Sequence, residues 1–168
     1  NQVEDITRKI ASEAYISALR EIETFGQLQI KGMHNLCKLS FMVGGSVARG
    51  SARVGLYPEN VSFAQAEDAE THKRNGHQEF RVGLPSDIDV LLKAKRVKDG
   101  GLVTQGDYTQ VMKTAKELAK KIFEESRILV SFSEVDKLGE LVSIADAIEI
   151  ISKKNSSYVR EPATKTVE

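Results

Sequence analysis

The chain has 168 residues, of which 40% are hydrophobic, and its 24 basic residues are balanced by 24 acidic ones. This length and apolar content predict a single domain with a hydrophobic core, and the balanced charge excludes a globally basic nucleic-acid-binding protein. A lone cysteine, Cys37, excludes an internal disulfide and indicates a reducing compartment, so we expect a cytoplasmic site of action. No apolar run approaches the roughly 18 residues that a membrane span needs, so we expect no membrane partner.

Residues 1–38 are predicted to form a helical extension. Apolar residues recur at helical spacing over residues 3–25, and Gly26 is suited to ending that helix. Residues 28–38 are ambiguous, because their apolar spacing fits a second helix that Gly32 would weaken.

Two apolar segments predict buried strands. Residues 39–43 end in the pair Gly44 and Gly45, which would turn the chain into an element that begins at Ser46. Residues 87–94 form the second strand. The segment between them, residues 53–84, is polar and lacks clear periodicity. We predict a long insertion loop there, with at most short elements around 61–66 and 80–82.

The second half of the chain contains a helix followed by a strand. Residues 95–106 form a basic, glycine-containing connection. A strongly amphipathic helix then begins at Asp107, which has the spacing of a capping box with Gln110. Residues 127–133 alternate apolar and polar side chains, which predicts a strand.

The end of the domain has two interpretations. Apolar residues at helical spacing predict one helix over residues 134–153, whereas residues 147–151 alternatively form a separate strand. Residues 153–168 are polar and are predicted to be a loosely held tail. We therefore predict one α/β or α+β domain over residues 1–152, with a small mixed sheet and flanking helices.

Gly44, Gly45 and Ser46 form a candidate phosphate site. Glycine lets the backbone approach a ligand closely, and the start of a following helix favours negative charge. Ser46 would donate its hydroxyl to a phosphate oxygen, and Arg49 would neutralise phosphate charge. The spacing fits neither a Walker A loop nor a dinucleotide fingerprint. The alternative is an ordinary strand–helix turn with Arg49 in solvent.

Asp87 and Asp89 form a candidate metal site. They lie two positions apart on a predicted strand, so both carboxylates would lie on one face. Adjacent carboxylates favour a cation between them, and Mg²⁺ prefers carboxylate and phosphate oxygens. The alternative is a solvated strand edge, although the glycine–serine turn and the polar Ser86 before a strongly apolar strand favour the metal site.

Together, GGSVARGS at residues 44–51 and SDIDVLL at residues 86–92 resemble the paired motif of the nucleotidyltransferase superfamily. That superfamily includes DNA polymerase β, the CCA-adding enzymes and the aminoglycoside nucleotidyltransferases. The resemblance covers residues 39–94, and the helix predicted from Asp107 is compatible with it. The paired motif is fairly specific, whereas either half alone is not.

The resemblance implies a Mg²⁺-dependent enzyme that moves a nucleoside monophosphate from an NTP to an acceptor hydroxyl and releases pyrophosphate. Gly44, Gly45 and Ser46 would hold the β- and γ-phosphates, while Asp87 and Asp89 would hold the Mg²⁺ ions. The acceptor would be an RNA, tRNA first, or a protein. Catalysis would consist mostly of positioning and charge neutralisation.

The resemblance also implies a third carboxylate on a later strand. Glu149 is the first candidate, because its surroundings match the family's strand pattern with glutamate in place of aspartate. Glu134 and Asp146 are the other candidates. If residues 134–153 form a helix, Glu149 becomes a solvated helix residue and Glu134 is favoured.

The link between the two motifs departs from the family pattern. Ser46 and Asp87 lie 41 positions apart, a longer link than in the family's minimal members. The extra residues form either an acceptor-recognition loop or a disordered insertion. Its charged and histidine residues are Glu67, Asp68, Glu70, His72, Lys73, Arg74 and His77.

Residues 93–127 hold nine basic and five acidic residues. These basic side chains could bind a tRNA backbone or the triphosphate. The alternative is that they form the solvated face of an amphipathic helix.

The chain begins at Asn1 rather than at methionine, and we expect a piece of a longer protein. One hypothesis is a toxic effector module of a secreted bacterial protein, with an immunity protein covering its cleft. Two other hypotheses are a non-catalytic nucleotide- or partner-binding module on the same fold and a small-molecule antibiotic-modifying enzyme.

Overall fold

The computed structural model describes residues 2–26, 37–74, 84–134 and 139–160. In these ranges it has five helices and three strands, which confirms the predicted mixed α+β class. In chain order the elements are α1 (Gln2–Phe25), β1 (Cys37–Gly44), α2 (Gly45–Arg49), α3 (Phe63–Arg74), β2 (Ile88–Arg96), α4 (Gln105–Ser126), β3 (Val130–Ser133) and α5 (Ile144–Arg160). Among these helices, none has both the length and the apolar character that crossing a membrane requires.

The three strands form one mixed sheet in the order β1–β2–β3. β1 runs antiparallel to β2, and β3 runs parallel to it. The register places Gly44 opposite Asp89, and Asp89 opposite Ser131. On the other edge of β1, Val43 and Val142 exchange two backbone hydrogen bonds of 2.8 Å. The beginning of β2 therefore lies between the end of β1 and the beginning of β3.

The hydrophobic core lies against one face of β2. Because side chains alternate along a strand, Ile88 and Val90 lie on the face opposite to that of Asp87 and Asp89. Ile88 and Val90 belong to the main cluster of buried apolar residues, which includes side chains from α1, α4, α5 and all three strands. This packing fixes the position of β2, while Asp87, the residue before β2, and Asp89 lie on the other face.

The helix predicted over residues 3–25 is confirmed, but α1 is part of the core rather than an extension. Tyr15, Leu19 and Ile22 of α1 are fully buried in the main cluster. Burying such a side chain contributes about 1.5–3 kcal/mol, so the domain depends on this helix for its stability.

The connection between α1 and β1 lies mostly outside the described residues. The helix that we considered over residues 28–38 falls largely on this segment. Cys37 and Lys38, at its end, belong to β1, which begins two residues before the predicted strand.

The prediction of a long loop over residues 53–84 is wrong where α3 forms. The backbone N–H of Ser62 donates to Gln65 Oε1 at 2.8 Å, and the N–H of Gln65 donates to Ser62 Oγ at 3.1 Å. This reciprocal pair is a capping box, which satisfies donors at the start of the helix. The helix was missed because Ala66 is its only fully buried apolar side chain, so the sequence has no apolar stripe. The short element expected around residues 80–82 lies outside the described residues.

The helix predicted from Asp107 exists as α4 but begins two residues earlier. Thr104, rather than Asp107, is the N-cap, and its hydroxyl accepts the backbone N–H of Asp107 at 3.1 Å. Arg127 ends the helix in the left-handed conformation, with φ of 59°. This turn removes Arg127 from the strand predicted over residues 127–133, and β3 is correspondingly shorter.

The alternative strand over residues 147–151 is wrong, because these residues belong to α5. Ala147 and Ile151, one helical turn apart, are buried in the main cluster. Ser143 Oγ accepts the backbone N–H of Asp146 at 3.0 Å and so helps to begin the helix. The predicted tail over residues 153–168 also requires correction, since α5 continues to Arg160. Residues 161–168 lie outside the described residues.

Candidate functional site

The glycine turn and the aspartate pair meet where β1 ends. Gly44 lies opposite Asp89 in the sheet, and Gly45 begins α2 with φ of +64°, a conformation that favours glycine. A Cβ atom at position 45 would collide with Asp89 Oδ2 and lie only 3.2 Å from Asp89 Cγ. Two motifs that are far apart in the sequence therefore form one site, with the backbone of Gly45 packed against the Asp89 carboxylate.

The predicted phosphate-binding residues line a small cavity beside this contact. Ser46 and Arg49 of α2 both face a cavity of about 280 Å³. Among the described residues, the rest of its lining is Ser51, Arg53, Glu70, Leu84, Pro85 and Ser86. Gly50 ends α2 with φ of +74°, and the N–H of Ser51 donates to Ser46 O at 3.0 Å. Three serines, two arginines and one glutamate therefore surround the cavity, and the two arginines and the serine hydroxyls are groups that can bind an anion.

The chain entering β2 is fixed by hydrogen bonds to α1 and to the segment after α2. The Tyr15 hydroxyl donates to Ser86 O at 2.5 Å. The N–H of Arg53 donates to Ser86 Oγ at 2.8 Å, and the N–H of Ser86 donates to Arg53 O at 2.9 Å. Asp87 follows directly, so its backbone position is determined by these contacts.

Asp87 is a buried carboxylate, with only 2% of its surface exposed. Ser131 Oγ of β3 donates a hydrogen bond of 2.7 Å to Asp87 Oδ2. Such a hydrogen bond to a charged acceptor compensates part of the cost of removing the carboxylate from water. Asp89 is half-buried and lies between Gly44 and Ser131 in the register.

Burial and the negative charge of Asp87 both raise the pKa of two tyrosines, Tyr15 and Tyr57. Burial raises the pKa of Tyr15, and the negative charge of Asp87 raises it further. Burial, then Glu70, then Asp87 raise the pKa of Tyr57 to about 12. Each effect has the sign expected when a carboxylate opposes formation of a second negative charge. Tyr57, Glu70 and Asp87 therefore share one electrostatic environment.

The aspartate pair has the chemistry required to bind a divalent cation. Each carboxylate has two oxygens and about four acceptor positions, so a carboxylate can accept a hydrogen bond and bind a cation at the same time. Mg²⁺ commonly binds to one or two carboxylates and completes its octahedron with phosphate oxygens and water. Asp87 and Asp89 could hold it beside the cavity lined by Ser46 and Arg49. Across the described ranges, no cluster of three or more potential metal ligands occurs.

A second, larger cavity of about 540 Å³ lies between α3, α4 and β3. Its apolar lining comes from Met112, Ala119, Val130 and Phe132, and its polar lining from Glu67, Glu70, Thr71, Thr109, Lys113, Lys116 and Ser131. Ser131 connects this cavity with Asp87, and Glu70 lines both cavities. In the sequence analysis Glu70 was placed in a loop that either recognises the acceptor or is disordered, and it was given no catalytic role. The capping box at Ser62 and Gln65 was a signal for the helix that carries it.

The structure does not bring Glu149 to the aspartate pair through a strand. Glu149 lies on α5, where its side chain is 61% exposed and pairs with Lys153 at 3.0 Å. The catalytic role predicted for Glu149 depended on the strand over residues 147–151 and loses its basis. Asp146 is also exposed, in the first turn of α5.

Glu134, the next candidate, follows β3 immediately. Ser131 is the residue opposite Asp89, and Glu134 lies three residues further along the chain. A strand rises about 3.3 Å per residue, so the backbone of Glu134 lies roughly 10 Å beyond that of Ser131. Its carboxylate adjoins Tyr108 of α4, whose pKa it raises after the larger effect of burial. At the register position beside Asp89, β3 thus supplies the hydroxyl of Ser131 rather than a carboxylate.

The basic excess over residues 93–127 includes two arginines with structural contacts. Arg96 pairs with Asp99 at 2.8 Å. Arg127 donates to the carbonyl oxygens of Tyr57, Pro58 and Val61, and its guanidinium lies 4.4 Å from the centroid of the Phe123 ring. Arg127 therefore attaches the segment before α3 to the end of α4.

Comparisons with protein-family models, curated proteins and solved structures return no match. The function is therefore inferred from the geometry and chemistry of the site.

Proposed function

We propose that this protein is a Mg²⁺-dependent nucleotidyltransferase. It would transfer a nucleoside monophosphate from an NTP to a hydroxyl of an RNA, such as tRNA, or of a protein, with release of pyrophosphate. The observation that supports this most strongly is the packing of the Gly45 backbone against the Asp89 carboxylate. A phosphate-binding turn and a carboxylate pair have to be adjacent in such an enzyme, and the contact between the glycine turn and Asp89 is what this requirement leads one to expect.

The cavity beside α2 suits the triphosphate. Ser46 would donate its hydroxyl to a phosphate oxygen, and Arg49 and Arg53, which line the same cavity, would neutralise phosphate charge. The buried Asp87 and the adjoining Asp89 would hold the cation. When bound, Mg²⁺ supplies charge neutralisation on the triphosphate and at the oxygens that attack and leave.

The protein residues would act mainly by positioning. The hydrogen bond from Ser131 holds the Asp87 carboxylate in place, and the contact with Gly45 limits the movement of Asp89. Groups held in advance around the α-phosphorus would lower the barrier, because they need little reorganisation during the reaction.

Label transfer tests this proposal. The protein is incubated with Mg²⁺ and each α-labelled NTP in turn, with total tRNA or cell protein as the acceptor fraction. We expect label on one fraction from the wild type and its loss in Asp87→Asn and Asp89→Asn. Asp99→Asn, which changes an exposed aspartate in the turn after β2, is the matched control and is expected to retain activity.

The outcomes separate the functional classes. Label on tRNA or on protein identifies the acceptor, and dependence on one NTP identifies the base. A folded wild-type protein that binds Mg²⁺ and NTP but labels neither fraction would contradict the transferase and favour a nucleotide-binding module. Label that persists in both aspartate variants would contradict the assignment of the site.

A further inference from the structure

Glu70 is one of the few buried charged side chains in the described part of the chain, with 8% of its surface exposed. Burial of a carboxylate is costly unless polar groups around it stabilise its charge. Glu70 is not enclosed by apolar residues, because it lines both the cavity beside α2 and the cavity between α3, α4 and β3. It therefore lies where the two cavities meet.

The two cavities that meet at this junction have different linings. Each has two basic side chains, Arg49 and Arg53 beside α2 and Lys113 and Lys116 in the other, but the larger cavity also has Glu67 and an apolar floor. Glu70 and Asp87 also both act on Tyr57, so the two carboxylates lie in one environment. A group bound in the larger cavity would approach the triphosphate past Glu70 and Ser131.

Proton transfer at this site requires a base. An attacking alcohol loses its proton as it bonds to phosphorus, and a positioned carboxylate accepts such protons efficiently. β3 places a neutral hydroxyl, Ser131, opposite Asp89, and Asp87 and Asp89 are assigned to the cation. Among the residues lining both cavities, Glu70 is the carboxylate with access to each.

We propose that the cavity between α3, α4 and β3 binds the acceptor and that Glu70 is the catalytic base that removes the proton from the acceptor hydroxyl. This inference rests on the proposed nucleotidyltransferase function. The O–H bond of the acceptor breaks, and its proton moves to a Glu70 oxygen. A bond forms between the acceptor oxygen and the α-phosphorus, and the bond from the α-phosphorus to the pyrophosphate oxygen breaks with its electron pair. Glu70 then returns the proton to water.

The test compares Glu70→Gln with Glu125→Gln. Glu125 is an exposed glutamate near the end of α4 that lines neither cavity. For each variant, kcat for label transfer is measured beside the Kd for Mg²⁺–NTP and the midpoint of thermal unfolding. We expect Glu70→Gln to lower kcat by about 10²-fold or more, in the range typical of a general base, with Kd changed by less than about twofold. Glu125→Gln is expected to change kcat by less than about threefold.

Glu70→Asp supplies a second measurement that does not depend on the stability of the glutamine variant. It retains the carboxylate on a shorter side chain and is expected to recover at least about tenfold in kcat over Glu70→Gln. Equal activity in Glu70→Gln and Glu125→Gln would overturn the role of Glu70. The role of Glu70 as a base would also be overturned if weaker Mg²⁺–NTP binding accounted for all of the activity lost in Glu70→Gln. Glu70 would then serve nucleotide binding. A wild-type protein that binds Mg²⁺–NTP and transfers nothing would overturn the proposed function itself.

Discussion

Replacing Gly45 with alanine would test the contact between the glycine turn and Asp89. The new side chain has two effects that the structure separates. The φ of +64° costs an L-residue about 1–2 kcal/mol, which lowers stability. The added Cβ would also collide with Asp89 Oδ2 and lie 3.2 Å from Asp89 Cγ, so the carboxylate has to move. A displacement of about 1 Å at a reacting centre costs about 10²-fold in rate, which is the loss that we expect in kcat.

Gly50→Ala is the matched control. Gly50 ends the same short helix with φ of +74°, so alanine there has a similar backbone cost. Among the described residues, its added Cβ would meet Ile150 Cγ2 at 3.8 Å, an ordinary contact, and no atom of Asp89. We expect the free energy of unfolding in urea to be about 1–2 kcal/mol lower in both variants than in the wild type. Gly50→Ala is expected to transfer label within about threefold of the wild-type rate.

The assay is therefore urea unfolding together with initial rates of α-label transfer under saturating Mg²⁺–NTP. If Gly45→Ala and Gly50→Ala lose activity equally, the defect comes from backbone strain or folding. The proposed geometric coupling between position 45 and Asp89 would then be refuted.

Three other changes test the surroundings of the site. Ser131→Ala removes the 2.7 Å hydrogen bond to the buried Asp87 and should lower the free energy of unfolding by about 1–3 kcal/mol; unchanged stability in urea would count against that bond. Tyr57 has a pKa of about 12 in the folded protein against 10.0 ordinarily, so the folded state holds its proton more tightly and stability falls as pH rises from about 10 to 12. Tyr57→Phe should reduce the slope of the unfolding free energy against pH by an amount equivalent to up to one proton. An unchanged slope between about pH 10 and 12 would contradict the raised pKa of Tyr57. Arg127→Ala removes hydrogen bonds to three carbonyl groups and the contact with Phe123, and it should cost at least about 2 kcal/mol in thermal or urea unfolding. Arg127→Lys should recover little of this loss, because an ammonium group cannot reproduce the guanidinium fork, and a full recovery would show that charge alone matters.

Several features of the fold could be predicted because local patterns determine them. The apolar stripe of α1 and the strongly amphipathic α4 are visible as helical periodicity, and β2 is visible as an apolar run. The proximity of Gly45 and Asp89 was predicted only by resemblance, since the sequence contains no direct information on the register that pairs Gly44 with Asp89.

Other features depend on tertiary contacts that leave weak traces in the sequence. α3 has little apolar periodicity and is attached to the domain through Ala66, Phe63 and the segment held by Arg127. Since that helix was not predicted, the position of Glu70 could not be predicted either. Glu149 was chosen because its neighbours suit a strand as well as a helix. The apolar stripe formed by Ile144, Ala147, Ile148 and Ile151 favours α5, where it packs into the core.

The most direct test of the proposed transferase follows the two ends of the triphosphate in one reaction. Wild-type protein, Mg²⁺ and the acceptor fraction are incubated with an NTP labelled either at the α-phosphate or at the γ-phosphate. We expect the α-label on the acceptor and the γ-label in pyrophosphate in equal amounts, and we expect Asp87→Asn and Asp89→Asn each to abolish both. A γ-label on the acceptor would show phosphoryl transfer instead, and α-label transfer that survives both substitutions would contradict the site.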